Sequence, residues 1–223
     1  MRHTCLRVFV VVAFTGLLSS PAATAPVTRF KGLTAAEWTA AWWQAVFALP
    51  VEAGSHPLIT GGAFGGNNRT VFLGGPVVPM GTPTGTIPVT VAPGTNLVVP
   101  IITVECSVAE APPFHGANEA ELRACANGLL DAARDVYAEI DGRAVKDPGA
   151  LRVTSPLFRY GPLPAGNVLG LPPGTQSDAV GAAYTLVLPP FSVGVHRLTI
   201  RASVPDFGIA IDTEFIITVE PPR

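Results

Sequence analysis

Proline and glycine divide this chain into short segments, which limits the folds that it can form. The sequence contains 23 glycines and 23 prolines among 223 residues. The runs between them include "TVFLGG", "PVTVAPGTNLVVPIITVEC", "RVTSPLFRY" and "AAYTLVLPP", which are typical of short strands. In "GVHRLTIRASV" and "FGIAIDTEFIITVE" apolar residues alternate with other residues, as in half-buried strands. Helices do not alternate with strands, so we predict a mainly β fold, an antiparallel β-sandwich of the jelly-roll or immunoglobulin-like type.

Two segments carry clear helix signals, one N-terminal and one inserted among the strands. "TAAE" at 34–37 is a capping box, which predicts a helix over 35–48 that ends before a proline. Asn118 is the N-cap of a second predicted helix over 119–134, where apolar residues recur at helical spacing. The glycine-rich stretch 51–68 is predicted to be mostly loop. Further turns are predicted from the Pro-Gly pair in "PVTVAPGTNLVVPII" and from "DG" at 141–142, which is a strong hairpin signal.

The first 25 residues are typical of a secretory signal peptide. Arg2 and Arg7 precede the apolar run "VFVVVAFTGLL", and the small residues "SSPAATA" follow it. Cleavage after Ala25 fits this pattern, but Pro26 disfavours it, so cleavage after Ala22 is an alternative. We therefore predict a signal peptide over 1–25, a single domain over 26–223, and a secreted or periplasmic protein without a membrane span in the mature chain.

Charge and cysteine content indicate which partners the chain can have and whether it contains a disulfide. The chain has 16 acidic and 14 basic residues with no basic run, so a nucleic-acid partner is not expected. Of its three cysteines, Cys5 lies in the signal peptide, which leaves Cys106 and Cys125. An even pair in an exported protein predicts a disulfide, and closing such a loop stabilises the fold by about 3 kcal/mol. The alternative, a pair of metal ligands, lacks partners at metal-site spacing.

All three tryptophans lie in the first predicted helix and allow two interpretations. Trp38 and Trp42 are four residues apart, and Trp43 begins a neighbouring ridge on the helix surface. Buried rings would anchor the helix to the sheets, whereas exposed rings would form an aromatic platform for sugars or aliphatic ligands. Because a platform normally presents a single face, the two ridges favour the anchor.

Several stretches in one order resemble an uncharacterised family of exported bacterial proteins. The capped helix "LTAAEWTAAWWQAV" is similar to its L-T-x-x-E-W-x-x-x-W-W-Q-W pattern, and "VAPGTNLVVPIITVECS", "ELRACANGLLD", "AEIDGRAV", "SPLF" and "LPPFSVGVHRLTI" follow as in its members. The likeness covers nearly all of the mature chain and implies an exported β-sandwich, without implying a reaction. This chain lacks the second cysteine pair that such relatives often carry, and Ala45 stands where they often have a tryptophan.

Few residues suit a catalytic or metal-binding role, and they are scattered along the sequence. His56, His115 and His196 form no local metal motif, and there is no G-x-S-x-G elbow, phosphate loop or dinucleotide fingerprint. Glu105, Glu110 and Asp178 are the acids that suit hydrolytic chemistry or convergence with a histidine. Asn68 opens a glycosylation sequon, which matters only in a glycosylating host.

Two functions fit this pattern. The first is a non-catalytic exported protein that binds a small molecule, a glycan or an envelope protein, without a cofactor. The second is a small extracellular hydrolase or lyase acting on a polysaccharide, with a carboxylate and histidine site in loops at one end. The candidate ligand-binding residues are Trp38, Trp42, Trp43, His115, Asp178 and His196; no catalytic residue is assigned. A histidine within hydrogen-bonding reach of Glu105, Glu110 or Asp178 would favour the enzyme.

Overall fold

The computed structural model describes residues 29–52, 56–67, 69–82 and 85–221, and most of them belong to two sheets or their connections. The predicted signal peptide, Cys5 and Asn68 lie outside the described residues. Sheet I contains β1 (Gly62–Asn67), β2 (Thr70–Gly74), β5 (Asn96–Ser107), β8 (Arg152–Thr154), β9 (Phe158–Tyr160) and β10 (Ser177–Leu188). Sheet II contains β3 (Val78–Pro79), β4 (Thr86–Val91), β6 (Arg134–Ile140), β7 (Arg143–Ala144), β11 (Gly194–Val204) and β12 (Ile209–Val219). The predicted mainly β fold is confirmed.

The strand pairing is mixed rather than purely antiparallel. Sheet I has the order β1-β2-β5-β10-β8, and sheet II has the order β3-β12-β11-β6-β7, with β9 also on β10 and β4 also on β12. Two pairs, β2 with β5 and β4 with β12, are parallel. The two strands that flank the Pro-Gly turn, β4 and β5, enter different sheets and do not pair with each other as a hairpin. Both sheets contribute to one core cluster, which includes Leu97, Ile101, Leu198, Ile200, Phe215 and Ile217.

The first predicted helix is confirmed, with a difference of one residue at its end. Helix α1 (Ala35–Phe47) begins with the predicted capping box. The Glu37 amide donates to the Thr34 Oγ1 at 3.1 Å, and the Thr34 amide donates to the Glu37 Oε2 at 2.7 Å. The helix packs on sheet I through a second core cluster that contains Trp42, Phe47 and Tyr160.

The glycine-rich segment is more regular than predicted. It holds a short helix, α2 (Pro57–Thr60), and strand β1, so the expectation of mostly loop is wrong. His56 is the N-cap of α2, and its buried ring accepts a hydrogen bond from the Leu58 amide at 3.3 Å. Phe64 of β1 contacts Trp42 edge-to-face at a ring separation of 5.4 Å. Packing against α1 therefore stabilises a strand that its own glycines disfavour.

The second predicted helix is confirmed at its start, and the disulfide is confirmed with it. Helix α3 (Glu119–Leu130) has the predicted N-cap, Asn118, but it is shorter than the predicted 119–134 because β6 already begins at Arg134. The disulfide Cys106–Cys125 joins β5 to this helix. The predicted Asp-Gly hairpin also forms, between β6 and the two-residue strand β7. No helix in the described part of the chain is long and apolar enough to cross a membrane.

A bulge in β5 determines which of its side chains face α1. Pro100 pairs with Thr185 and Ile102 pairs with Tyr184, so Ile101 has no partner on β10. One extra residue moves every following side chain to the opposite face of the sheet. Beyond the bulge Cys106 therefore faces α3, while Thr103, Glu105 and Ser107 lie on the side of α1.

Candidate functional site

The three tryptophans are buried and hydrogen-bonded inside the protein. Trp38 is 5%, Trp42 is 2% and Trp43 is 7% exposed. Their Nε1 groups donate to the Phe30 carbonyl at 3.0 Å, the Leu73 carbonyl at 3.0 Å and the Thr103 Oγ1 at 2.9 Å, respectively. This arrangement matches the anchoring interpretation, and it does not present the rings as an open platform. Of the three, Trp43 alone lines the cavity described below.

His196 forms a surface cluster with Asp141 and Ser192, away from the other candidate residues. Its Nδ1 lies 2.7 Å from the Asp141 Oδ2, and its Nε2 lies 3.2 Å from the Ser192 Oγ and 3.0 Å from the Ser192 carbonyl oxygen. The hydrogen bond that His196 donates to Asp141 raises the pKa of His196. The Ser192 carbonyl competes with the Ser192 hydroxyl for Nε2, so both ring nitrogens face acceptors and the geometry favours the protonated ring, a weaker base towards Ser192 than the neutral ring.

The remaining predicted candidates do not come together. Asp178 is half exposed and forms an ion pair with Arg159, 3.0 Å apart. His115 is exposed on the segment between β5 and α3. Within the described ranges no histidine hydrogen-bonds to Glu105, Glu110 or Asp178, and no group of three metal-ligating side chains forms. The predicted carboxylate and histidine site is therefore not assembled in this part of the chain.

A largely apolar cavity of about 460 Å³ lies beside β5. Helix α1 and the 168–169 segment border it on one side, and α3 and the ends of β11 and β12 border it on the other. The side chains that form its apolar wall include Trp43, Phe47, Ile102, Leu129, Leu130, Leu169, Val204 and Ile211. Val77 and Phe207 line it and are exposed, so they mark its mouth, where Phe114 stacks on Phe207 at 6.1 Å.

One edge of β5 is open along this cavity. β2 pairs with β5 only at 96–98, and beyond that point β10 is the one described strand that pairs with β5. Gly181 of β10, opposite Glu105, exchanges two hydrogen bonds with Ser155 at 2.9 and 2.7 Å, so its backbone points away from β5. In such an antiparallel pair the opposite residue also points its backbone outward. Glu105, and by alternation Thr103, therefore direct N–H and C=O groups to the open edge.

Glu105 is the polar centre of the cavity wall. It is only 4% exposed, and its Oε1 has no hydrogen-bond partner among the described residues. Burial raises the pKa of the Glu105 carboxyl well above its usual value, and the neighbouring Glu110 raises it further through its charge and a hydrogen bond between the two side chains. An acid with a raised pKa keeps its proton to higher pH, so this environment favours the protonated form of Glu105.

The hydroxyl groups of Tyr160 and Ser107 form a hydrogen-bonded chain that ends at the Glu110 carboxyl group. The Ser107 Oγ donates to the Glu110 Oε2 at 2.7 Å and lies 3.0 Å from the Tyr160 hydroxyl. Since Ser107 has one proton and gives it to Glu110, the Tyr160 hydroxyl donates to Ser107. Burial raises the pKa of Tyr160, which keeps this phenol protonated. The chain makes Glu110 the acceptor of the Ser107 hydroxyl proton.

The sequence contained a signal for Glu105, although it did not identify the pair. Glu105 stands in the apolar run "LVVPIITVEC", and a charged residue in a strand buried on both faces is costly unless it is partnered. The proximity of Glu110 depends on how the chain turns after Ser107, and the cavity depends on the open edge of β5. Neither the proximity of Glu110 nor the cavity can be recognised from a short stretch of the sequence.

No protein-family model matches this chain, and comparisons with curated proteins and with solved structures also give no match.

Proposed function

We propose that the mature chain is an exported, non-catalytic binding protein of β-sandwich type, secreted or periplasmic, that holds an apolar small molecule in the cavity beside β5. The predicted signal peptide and the resemblance to exported bacterial proteins support the location. The disulfide agrees with an oxidising compartment.

The cavity itself carries this proposal. Its volume of about 460 Å³ lies in the usual range for small-molecule sites. An apolar wall supplies affinity, and a few inward polar groups fix orientation, which is the usual composition of a ligand pocket. Here the polar groups are Glu105, Glu110 and the open backbone edge of β5. The unpartnered Glu105 Oε1 is the single observation that most favours a ligand, because a buried acceptor without a donor costs free energy that a ligand donor would recover.

Binding of an uncharged apolar dye tests the proposal. N-phenyl-1-naphthylamine should bind with enhanced emission, and excitation of Trp43 in the cavity wall should sensitise that emission. The variant Ala133→Phe places a ring into the cavity and should weaken binding at least tenfold, which is about 1.4 kcal/mol. Ala124→Phe is the matched control, because Ala124 is exposed on α3 and does not line the cavity.

Two outcomes would contradict the proposal. Absence of dye binding to the folded wild-type protein would show that the cavity does not take apolar molecules. Equal weakening by the two variants would show that the dye binds elsewhere.

A hydrolase centred on Ser192 is a second candidate, favoured by the 3.2 and 2.7 Å distances that order Ser192, His196 and Asp141. The competing carbonyl contact at 3.0 Å makes it the weaker one. Ester hydrolysis by the wild-type protein that disappears in Ser192→Ala would establish it, and hydrolysis at the same rate in both would dismiss it.

A further inference from the structure

We infer that the preferred ligand of this cavity is an apolar molecule with one ammonium group, which lies between the carboxyl groups of Glu105 and Glu110. This inference rests on the proposed function and specifies its ligand.

The charges around the cavity exclude anionic ligands first. Among the described residues that line the cavity, Glu105 and Glu110 are the only ionisable ones, and there is no lysine, arginine or histidine among them. Tyr160 is the other titratable group close to the pair, and it is a protonated phenol. The nearby Asp178 is already paired with Arg159. A fatty acid or another anion would therefore bring a second negative charge into an apolar space with no cation to receive it.

The unpartnered oxygen then distinguishes a cation from a neutral ligand. An alcohol would donate one hydrogen bond to the Glu105 Oε1 and leave the charge of the pair unchanged. An ammonium group has three donors, so it reaches the Glu105 Oε1 and the Glu110 carboxylate together. It also interacts favourably with aromatic faces, and Trp43, Phe47 and Phe114 all line the same cavity.

Binding exchanges a proton for the ligand. In the free protein the buried Glu105 carboxyl holds a proton, since burial and the adjacent Glu110 raise its pKa. The ammonium enters with its own charge, the Glu105 proton leaves to solvent, and both carboxylates then accept hydrogen bonds from the ammonium. The total charge of the site is the same before and after, and no covalent bond forms or breaks apart from that O–H bond.

Three ligands with the same alkyl chain test the inference. Decylamine, decanol and decanoate differ only in the head group, and each is titrated against bound N-phenyl-1-naphthylamine below its micellar concentration at pH 7. We expect decylamine to bind at least tenfold more tightly than decanol, and decanoate to bind most weakly. Calorimetry in buffers of different ionisation enthalpy should show release of about one proton per decylamine and none for decanol.

Glu105→Gln separates the head-group effect from general apolar binding. Glutamine keeps the shape and an N–H donor towards Glu110 but has no proton to exchange. The variant should bind decanol as the wild type does, lose most of its preference for decylamine, and release no proton. Glu220→Gln removes an exposed acid outside the cavity and should behave as the wild type.

The outcomes distinguish the two proposals. If the dye and decanol bind but decylamine has no advantage, or if binding releases no proton, the ammonium inference is wrong and the apolar binding function stands. If none of the probes binds to the folded protein, both are wrong.

Discussion

At the scale of single residues, the environment of Glu105 is costly for a carboxyl group. It is nearly inaccessible, adjoins a second acid, and leaves one oxygen without a donor. Ion pairs elsewhere, such as that of Asp178 with Arg159, lie on the surface and contribute little to stability. A costly buried acid is common at functional sites, which is why this residue carries the proposals above.

Glu105→Gln should stabilise the free protein above acidic pH. The folded state raises the Glu105 pKa above its ordinary value of 4.5, so its contribution to stability is complete below that pH and is lost as pH rises towards the folded pKa. Glutamine mimics the protonated acid at every pH. We expect equal stability near pH 4 and a gain of about 1 kcal/mol or more for the variant at pH 8, measured by urea unfolding. A variant that is less stable at pH 8 would contradict the assignment of the proton to Glu105.

The contact of His196 with Asp141 should stabilise the fold only in a limited pH range. The His196 pKa is raised from 6.5, so its contribution is complete below that pH and is lost as pH rises through the folded value. The Asp141 pKa is lowered from 3.8, so its contribution is lost as pH falls below that value. Between these two pH limits we expect the wild-type protein to be more stable than Asp141→Asn by about 0.5 kcal/mol. The value is small because solvent screens the pair. A difference that does not vary with pH would show that the two groups do not interact.

At the scale of elements, α1 is the part of the fold that the sequence predicted best. The capping box and the helical spacing are local patterns, so they located the helix within one residue. The extent of α3 was overestimated because helical spacing continued past Leu130, while pairing with β11 took Arg134 into a strand. Strand β1 was missed because its stability comes from packing of Phe64 against α1 rather than from its own glycines. The cavity was also beyond prediction, since it depends on an unpaired strand edge.

Two glycine-to-alanine substitutions in α3 and β10 should have opposite effects. At Gly181, an added Cβ would lie 2.8 Å from the Trp43 Cδ1 and 3.0 Å from its Nε1, so Gly181→Ala should displace α1 at a cost of about 1–3 kcal/mol. At Gly128 an added Cβ meets nothing within 4 Å, so Gly128→Ala should stabilise the helix by roughly 0.5–1 kcal/mol. Thermal unfolding of both variants measures the difference. A neutral Gly181→Ala would mean that α1 does not pack closely on the sheet.

At the scale of the whole molecule, β5 connects sheet I with the helices α1 and α3. It pairs with β10, carries the disulfide to α3, and places Thr103 and Glu105 towards α1. Helices α1 and α3 therefore lie on opposite faces of the same strand, and the cavity lies between them along its open edge. The cavity is therefore built from β5, the ends of β11 and β12, the helices and the loops that contribute Val77, Glu110 and Leu169.

Loss of the disulfide should loosen α3 and destabilise the whole protein. The bond closes a loop with a sequence separation of 19 residues. Replacing both Cys106 and Cys125 by alanine should lower the free energy of unfolding by about 3 kcal/mol. A reductant should destabilise the wild-type protein by a similar amount and leave the double variant unchanged. If the reductant destabilises the wild-type protein and the double variant equally, it does not act by breaking this disulfide.

The open edge of β5 has a further consequence for the chain before its disulfide forms. A strand with unpaired backbone groups is a template on which another chain can add a strand, and such edges promote aggregation. In the folded protein α1 and α3 flank this edge, so a neighbouring molecule has no straight approach to it. In a reducing cytoplasm the bond that fixes α3 does not form, and the edge is protected less well. The unpaired edge is thus a point at which reduced chains can associate, and we expect the reduced chain to depend on rapid disulfide formation or on a chaperone to stay monomeric.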